Sequence, residues 1–149
     1  MKKAAFPNAI LVALDESVEV AQAAVDLARA TGASLTALFV LDDGWNLFTG
    51  SDWLSGSGSR ADYLEYARDA EFAEGRQAVA ALREMAGDLP VKVLTPAGLV
   101  LDTLLEEAGR GHDLLVVGVP FARGLEKYRD APQQILKRAP CSVCFVRKA

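Results

Sequence analysis

The chain has 149 residues, of which 51% are hydrophobic and 24% are charged, as in one ordinary globular domain with its own core. Its formal net charge of -4 and pI near 5.0 do not favour binding to the negatively charged backbone of nucleic acid. No apolar run approaches the roughly 20 residues that cross a bilayer, and two cysteines imply no disulfide framework. We therefore expect a cytoplasmic protein without a nucleic-acid or membrane partner.

Strands and helices are predicted to alternate along the chain. Apolar runs without polar alternation, typical of strands buried on both faces, predict strands at residues 8–15, 34–40, 89–94, 113–118 and 141–146. Helical spacing or capping signals predict helices at residues 18–31, 60–86, 101–108 and 130–139. This alternation predicts a single domain, residues 1–149, of the α/β class with a doubly wound parallel sheet.

Residues 43–59 are predicted to form a flexible insertion loop, because they are rich in Gly and Ser and lack periodicity. The loop also carries Trp45, Phe48 and Trp53. These aromatic residues either pack over the sheet edge or form a lid or partner surface.

Ligands of doubly wound folds bind beyond the carboxyl ends of the strands, where the strand order reverses. The candidate ligand-binding positions are therefore the ends of the predicted strands, near Asp15, Val40 and Gly118. Asp15 also has a purely structural interpretation, as the N-cap of the first helix.

Three segments resemble the universal stress protein family. Residues 10–17 (ILVALDES) are similar to its opening strand, residues 113–118 (DLLVVG) to its fourth strand, and residues 139–143 (APCSV) to the entry of its last strand. The resemblance implies a five-stranded sheet in the order 3-2-1-4-5, with helices on both faces, and a homodimer. It also implies a binding or regulatory role in the stress response.

One branch of that family binds ATP through the pattern G-x2-G-x9-G-[ST] after the fourth strand, where bare glycine backbone approaches the phosphates. Here Gly118 supplies the first glycine, but Phe121 stands in place of the second, and about Asp130 replaces the final hydroxyl. The loop is also about two residues shorter than the pattern requires, although Arg123, Lys127 and Arg129 could attract phosphate by charge. The candidate ligand-binding residues are Ala13, Asp15, Val40, Gly118, Arg123 and Gly124.

Other chemistry finds little support in the sequence. Cys141 and Cys144 spell CxxC, but residues three apart on a strand point to opposite faces, so we expect two core thiols rather than a redox or metal pair. His112 is the only histidine and precedes a strand at its amino end, which indicates a surface loop. We therefore predict no catalytic residues, no metal site and no required cofactor.

Two functions remain open from the sequence. The first is a homodimeric universal stress protein that pairs through residues 141–146 and does not bind ATP strongly. The alternative is an adenine-nucleotide-binding member that uses the diverged loop for ATP or AMP, with slow ATP hydrolysis as one form of this alternative. An apolar last strand at the sheet edge favours the dimer, because such an edge tends to be paired or covered.

Overall fold

Strands and helices alternate along the chain, as the apolar runs predict. The computed structural model describes residues 6–42, 57–121, 123 and 130–148. The strands there are β1 (Ala9–Ala13), β2 (Ser34–Leu38), β3 (Leu41–Asp42), β4 (Val91–Leu94), β5 (Ala97–Gly98), β6 (Leu114–Val119) and β7 (Ser142–Arg147). The helices there are α1 (Val18–Thr31), α2 (Ser57–Ala86), α3 (Val100–Ala108) and α4 (Ala131–Arg138).

Five of the strands form one parallel sheet in the order β4-β2-β1-β6-β7. This order confirms the expected 3-2-1-4-5 arrangement of the five main strands. The short strands β3 and β5 were not predicted, and they pair with each other as a second, two-stranded parallel sheet. The strand order reverses beside β1, so the crevice at its carboxyl end is the place where this fold binds ligands.

The sheet separates two hydrophobic clusters. One lies under α1 and α2 and includes Val12 of β1, whereas the other lies under α3 and α4 and includes Leu11, its neighbour in sequence. Because successive strand residues point to opposite faces, a central strand covered on both sides must be apolar throughout. This explains the uninterrupted apolar runs in the sequence.

The ends of α1 and α2 confirm one prediction made from the sequence and contradict another. Gly32 ends α1 with a left-handed φ of 74°, as expected of a glycine cap. Helix α2 begins at Ser57 rather than at residue 60, so the prediction of a loop over residues 57–59 was wrong. Ser and Gly weaken a helix interior, but the first turn tolerates them because its N–H groups gain no intrahelical bond.

The rest of the predicted insertion loop, with Trp45, Phe48 and Trp53, lies outside the described residues. Within the part of the chain that the structure describes, no helix is long and apolar enough to cross a membrane.

Candidate functional site

The sequence-predicted residues at the strand ends lie at one edge of the sheet. Ala13 ends β1, Val40 follows β2, and Gly118 lies near the end of β6, all of them buried. Asp15 follows β1 and is also buried. A Cβ built on Gly118 would lie 3.4 Å from Asp15 Oδ2, so these two residues are direct neighbours across the reversal point.

Asp15 is not the N-cap of α1, contrary to that interpretation of the sequence. The N-cap is Ser17, whose own side chain makes no capping bond. The backbone N–H of Ser17 donates instead to Asp15 Oδ1 over 2.8 Å. Asp15 therefore fixes the turn that leads into the helix from two residues before it.

The second oxygen of Asp15 holds the ammonium of Lys148, the residue after β7. The Lys148 Nζ lies 2.6 Å from Asp15 Oδ2, and the Asp15 side chain is fully buried whereas that of Lys148 is 11% exposed. A pair so removed from water is screened much less by salt than a surface ion pair. Asp15 and Lys148 thus join the first and last strands at this edge.

Arg123, from the loop after β6, makes a second buried cluster at the same edge. Its side chain is 1% exposed, and its Nη2 donates to Glu71 Oε2 over 2.8 Å and to the carbonyl oxygen of Val40. Its Nη1 donates to both Glu71 and Glu74 of α2. The loop cation is therefore directed into the protein, onto two carboxylates and one strand-end carbonyl.

Two further contacts complete the Arg123 cluster. The guanidinium lies 3.9 Å above the centre of the Phe39 ring, a cation–π arrangement. The backbone N–H of Asp42 donates to Glu71 Oε2 over 2.8 Å, so the same carboxylate anchors both β3 and Arg123. The sequence predicted Val40 and Arg123 as separate ligand candidates. In the structure a direct hydrogen bond joins them.

A cavity of about 250 Å³ opens beside these clusters. It lies between the start of α1 and the middle of α2. Its polar lining includes Asp15, Glu16, Ser17, Glu74 and Gln77, and apolar residues such as Leu14 and Ala78 form the rest. Because Glu74 also holds Arg123 and Asp15 holds Lys148, both basic side chains are anchored at this cavity's wall.

The diverged loop after β6 begins with a core residue, although the sequence pattern placed Phe121 at the second glycine of a phosphate-binding loop. Phe121 is 3% exposed and packs into the cluster under α3 and α4, so its ring belongs to the core. The predicted candidate Gly124 and the basic residues Lys127 and Arg129 lie outside the described residues. Of the loop's three predicted phosphate-attracting cations, Arg123 is the one whose contacts the structure gives.

The cysteines confirm the strand geometry. Cys141 packs on the side of α3 and α4, and Cys144 on the side of α1 and α2, so their sulfurs lie on opposite faces. Burial raises the pKa of the Cys141 thiol, and the Asp113 carboxylate adds to this shift. Within the described ranges no group of three metal-ligating side chains occurs.

His112 lies at the opposite edge of the sheet, as predicted, but it is not a plain surface residue. Its Nε2 lies 3.0 Å from Glu107 Oε2, and both side chains are about nine-tenths buried. The neighbouring Asp113 accepts hydrogen bonds from the N–H groups of Asn8 and Ala9. The Ala9 bond is the main cause of a lowered Asp113 pKa, with the Asn8 bond adding to it against the effect of burial.

The strand order β4-β2-β1-β6-β7 defines a doubly wound α/β domain. Domains of this class bind ligands in the crevice where the strand order reverses. The sequence model of the Universal stress protein family matches residues 8–147. The chain belongs to the universal stress protein family.

Solved structures of this family share the fold. The universal stress protein UspA from Lactobacillus plantarum is 25% identical, with a TM-score of 0.72 over 96% of this chain and 99% of that one. A universal stress protein in complex with cAMP is 20% identical, with a TM-score of 0.63 over 95% and 98% of the two chains. One from Archaeoglobus fulgidus in complex with dAMP is 14% identical, with a TM-score of 0.57 over 95% and 98%. No curated protein matches the chain.

Sequence reasoning missed Glu71, Glu74 and Lys148. Glu71 and Glu74 are three residues apart and so share one face of α2, but the sequence gives no sign of which face meets the strand ends. Lys148 directly follows the last strand, and the rule that parallel strands end at one edge could have placed it there.

Proposed function

We propose that this chain is a binding and regulatory universal stress protein of the cytoplasm, acting in the stress response with weak or no binding of ATP. The observation that carries the proposal is the position of Arg123. The guanidinium is buried against Glu71, Glu74 and the Val40 carbonyl rather than presented to solvent.

Recruiting Arg123 to a phosphate would leave Glu71 without this partner at a site where its side chain is only 11% exposed. Breaking a buried ion pair by removing one partner costs about 3–5 kcal/mol. A new bond between Arg123 and phosphate must first offset that loss. In addition, Pro120 in the same loop has no N–H to donate to a phosphate.

Calorimetry with magnesium-ATP tests this proposal. We expect a dissociation constant of about 100 µM or weaker, which corresponds to a binding free energy of about -5.5 kcal/mol or a less favourable one. Low-micromolar binding by the wild-type protein would contradict it. Phe121→Gly should not restore binding, because Phe121 is a core residue and its removal leaves Arg123 held by the glutamates.

A homodimer through residues 141–146 is the second part of the proposal. Strand β7 lies at the sheet edge, where its described partner is β6 on one side, and Phe145 is 36% exposed. An apolar edge tends to be covered, and antiparallel pairing with a second copy gives an isologous interface. Sedimentation of micromolar protein should show a dimer, and monomer alone would contradict this part.

The alternative is an adenine-nucleotide-binding member, and the relatives in complex with cAMP and dAMP favour it. Mass spectrometry of small molecules released from the purified protein separates the two. Retained adenine nucleotide at a stoichiometric level would favour the alternative, whereas its absence agrees with weak binding.

A further inference from the structure

The side chain of Lys148 spans three neighbouring strand ends. Its backbone N–H donates to the carbonyl oxygen of Val119, the last residue of β6, over 3.2 Å. From there the side chain crosses β6 and places its ammonium on Asp15, just beyond β1. Because β7, β6 and β1 are consecutive in the sheet, the lysine forms a strap across the edge where the strand order reverses.

Gly118 makes this crossing feasible. A Cβ at this position would lie 2.7 Å from Lys148 Cε and 2.8 Å from Val20 Cγ2, both closer than real contacts allow. Gly118 is not among the glycines with a positive φ, so the backbone itself does not require glycine there. What the glycine provides is the space through which the lysine chain passes.

The strap occupies one oxygen of a carboxylate that also lines a cavity. Asp15 lines the space of about 250 Å³ between α1 and α2, yet its side chain has no exposed surface. A carboxylate accepts hydrogen bonds from hydroxyl and amino groups. Oδ1 of Asp15 already accepts the Ser17 N–H and Oδ2 already holds the Lys148 ammonium, so a solute that binds Oδ2 must compete with the lysine.

We propose that Lys148 is a built-in competitor for this site, so that a small solute carrying hydroxyl and amino donors, such as a nucleoside, reaches Asp15 only when the strap is displaced. The inference rests on the proposed function, because it assumes that the strand-end edge is the ligand site. A strap that is open in about one molecule in a hundred weakens the apparent affinity about 100-fold relative to an open site.

Adenosine is the appropriate probe, because it offers hydroxyl and amino donors but no phosphate for the diverged loop. Lys148→Ala removes both the ammonium and the chain that crosses Gly118, and Lys148→Met removes the ammonium alone. Lys137→Ala is the matched control, since Lys137 is an exposed lysine on α4. Equilibrium dialysis then gives the adenosine dissociation constant of each variant.

We expect Lys148→Ala to bind adenosine at least about tenfold more tightly than the wild type, with Lys148→Met between them and Lys137→Ala unchanged. Equal affinity of wild type and a folded Lys148→Ala would overturn the inference, and so would the same gain in Lys137→Ala. If Lys148→Ala does not fold, Lys148→Met decides in the same way, and no gain in that variant overturns the proposal.

The two proposals fail separately. Low-micromolar binding of magnesium-ATP by the wild type would contradict the proposal of weak ATP binding. It would not change the adenosine dissociation constants expected for the Lys148 variants. An unchanged adenosine affinity in Lys148→Ala would remove the strap as a competitor, even where the wild type binds ATP as weakly as proposed.

Discussion

Arg123 and Glu71 are 52 residues apart in the sequence, and the Arg123 Nη2 donates to Glu71 Oε2 over 2.8 Å at the carboxyl edge of the sheet. The same glutamate accepts the Asp42 N–H, so one carboxylate joins α2, β3 and the loop after β6. The arginine that the sequence offers as a phosphate ligand is, in the folded chain, a connection between these three parts.

Removing this arginine should destabilise the fold strongly. We expect Arg123→Met to lower the free energy of unfolding by about 3 kcal/mol, because it leaves a buried carboxylate without its cation. Arg138→Met is the matched control, since Arg138 and Asp102 form an exposed pair, 46% and 59% accessible, worth less than about 1 kcal/mol. Urea denaturation measures both, and equal small losses would contradict the structural role of Arg123.

Gly118→Ala should be destabilising through crowding. The new methyl group would meet Lys148 Cε at 2.7 Å and Val20 Cγ2 at 2.8 Å, and overpacking of this kind costs about 1–3 kcal/mol. In a Lys148→Ala background Gly118→Ala should cost less than in the wild type, because only the contact with Val20 then remains. Gly109→Ala serves as the control, since its Cβ would find its nearest neighbour at an ordinary 3.5 Å. A neutral Gly118→Ala in urea melts would show that the lysine does not cross there.

Asp113 should make stability depend on pH in the acid range. The Ala9 and Asn8 N–H groups hold the pKa of its folded-state carboxyl below that of the unfolded chain. Its contribution is therefore complete above the unfolded value of about 3.9 and is lost as pH falls through the lower folded pKa. Asp113→Asn should flatten the decline in unfolding free energy below about pH 4. A decline for Asp113→Asn identical to that of the wild type would contradict this assignment.

Cys141 should react slowly with thiol reagents. Burial raises the pKa of its thiol, and the thiolate is the species that reacts. With Cys144 replaced by Ser, the remaining thiol should react with a disulfide reagent at pH 8 at least about tenfold more slowly than in the urea-unfolded chain. Equal rates for the folded and unfolded protein would mean that Cys141 is accessible.

The sheet was predictable because apolar runs such as Ile10 to Leu14 admit few alternatives: a strand with no polar face must be covered on both sides. The edge that carries the candidate site was predictable for the same reason, since parallel strands end together. Asp15, Val40 and Gly118 were placed at this edge in this way, and their binding of a ligand stays a prediction.

The contacts within that edge were less accessible to sequence reasoning. Arg123 was interpreted by its charge, but whether a cation in a loop turns outward or inward depends on the carboxylates it meets in space, here Glu71 and Glu74. Lys148 was missed for the same reason, because its charge alone does not show that it meets Asp15. A sequence states which charges exist, whereas only the fold decides which of them are buried together.

Strand β1 is central in space but early in synthesis. Its first residue, Ala9, accepts a hydrogen bond from Asp113, 104 residues later, and the bond from Lys148 to Asp15 spans 133 residues. Domains emerge from the ribosome with the N-terminal part first, at about 5–20 residues per second. A nascent chain that has completed α1 and β2 therefore presents an apolar β1 with one open side, which nothing can cover until β6 appears. For several seconds of translation that side of β1 has no strand partner, and the lysine reaches Asp15 only after every other strand is made.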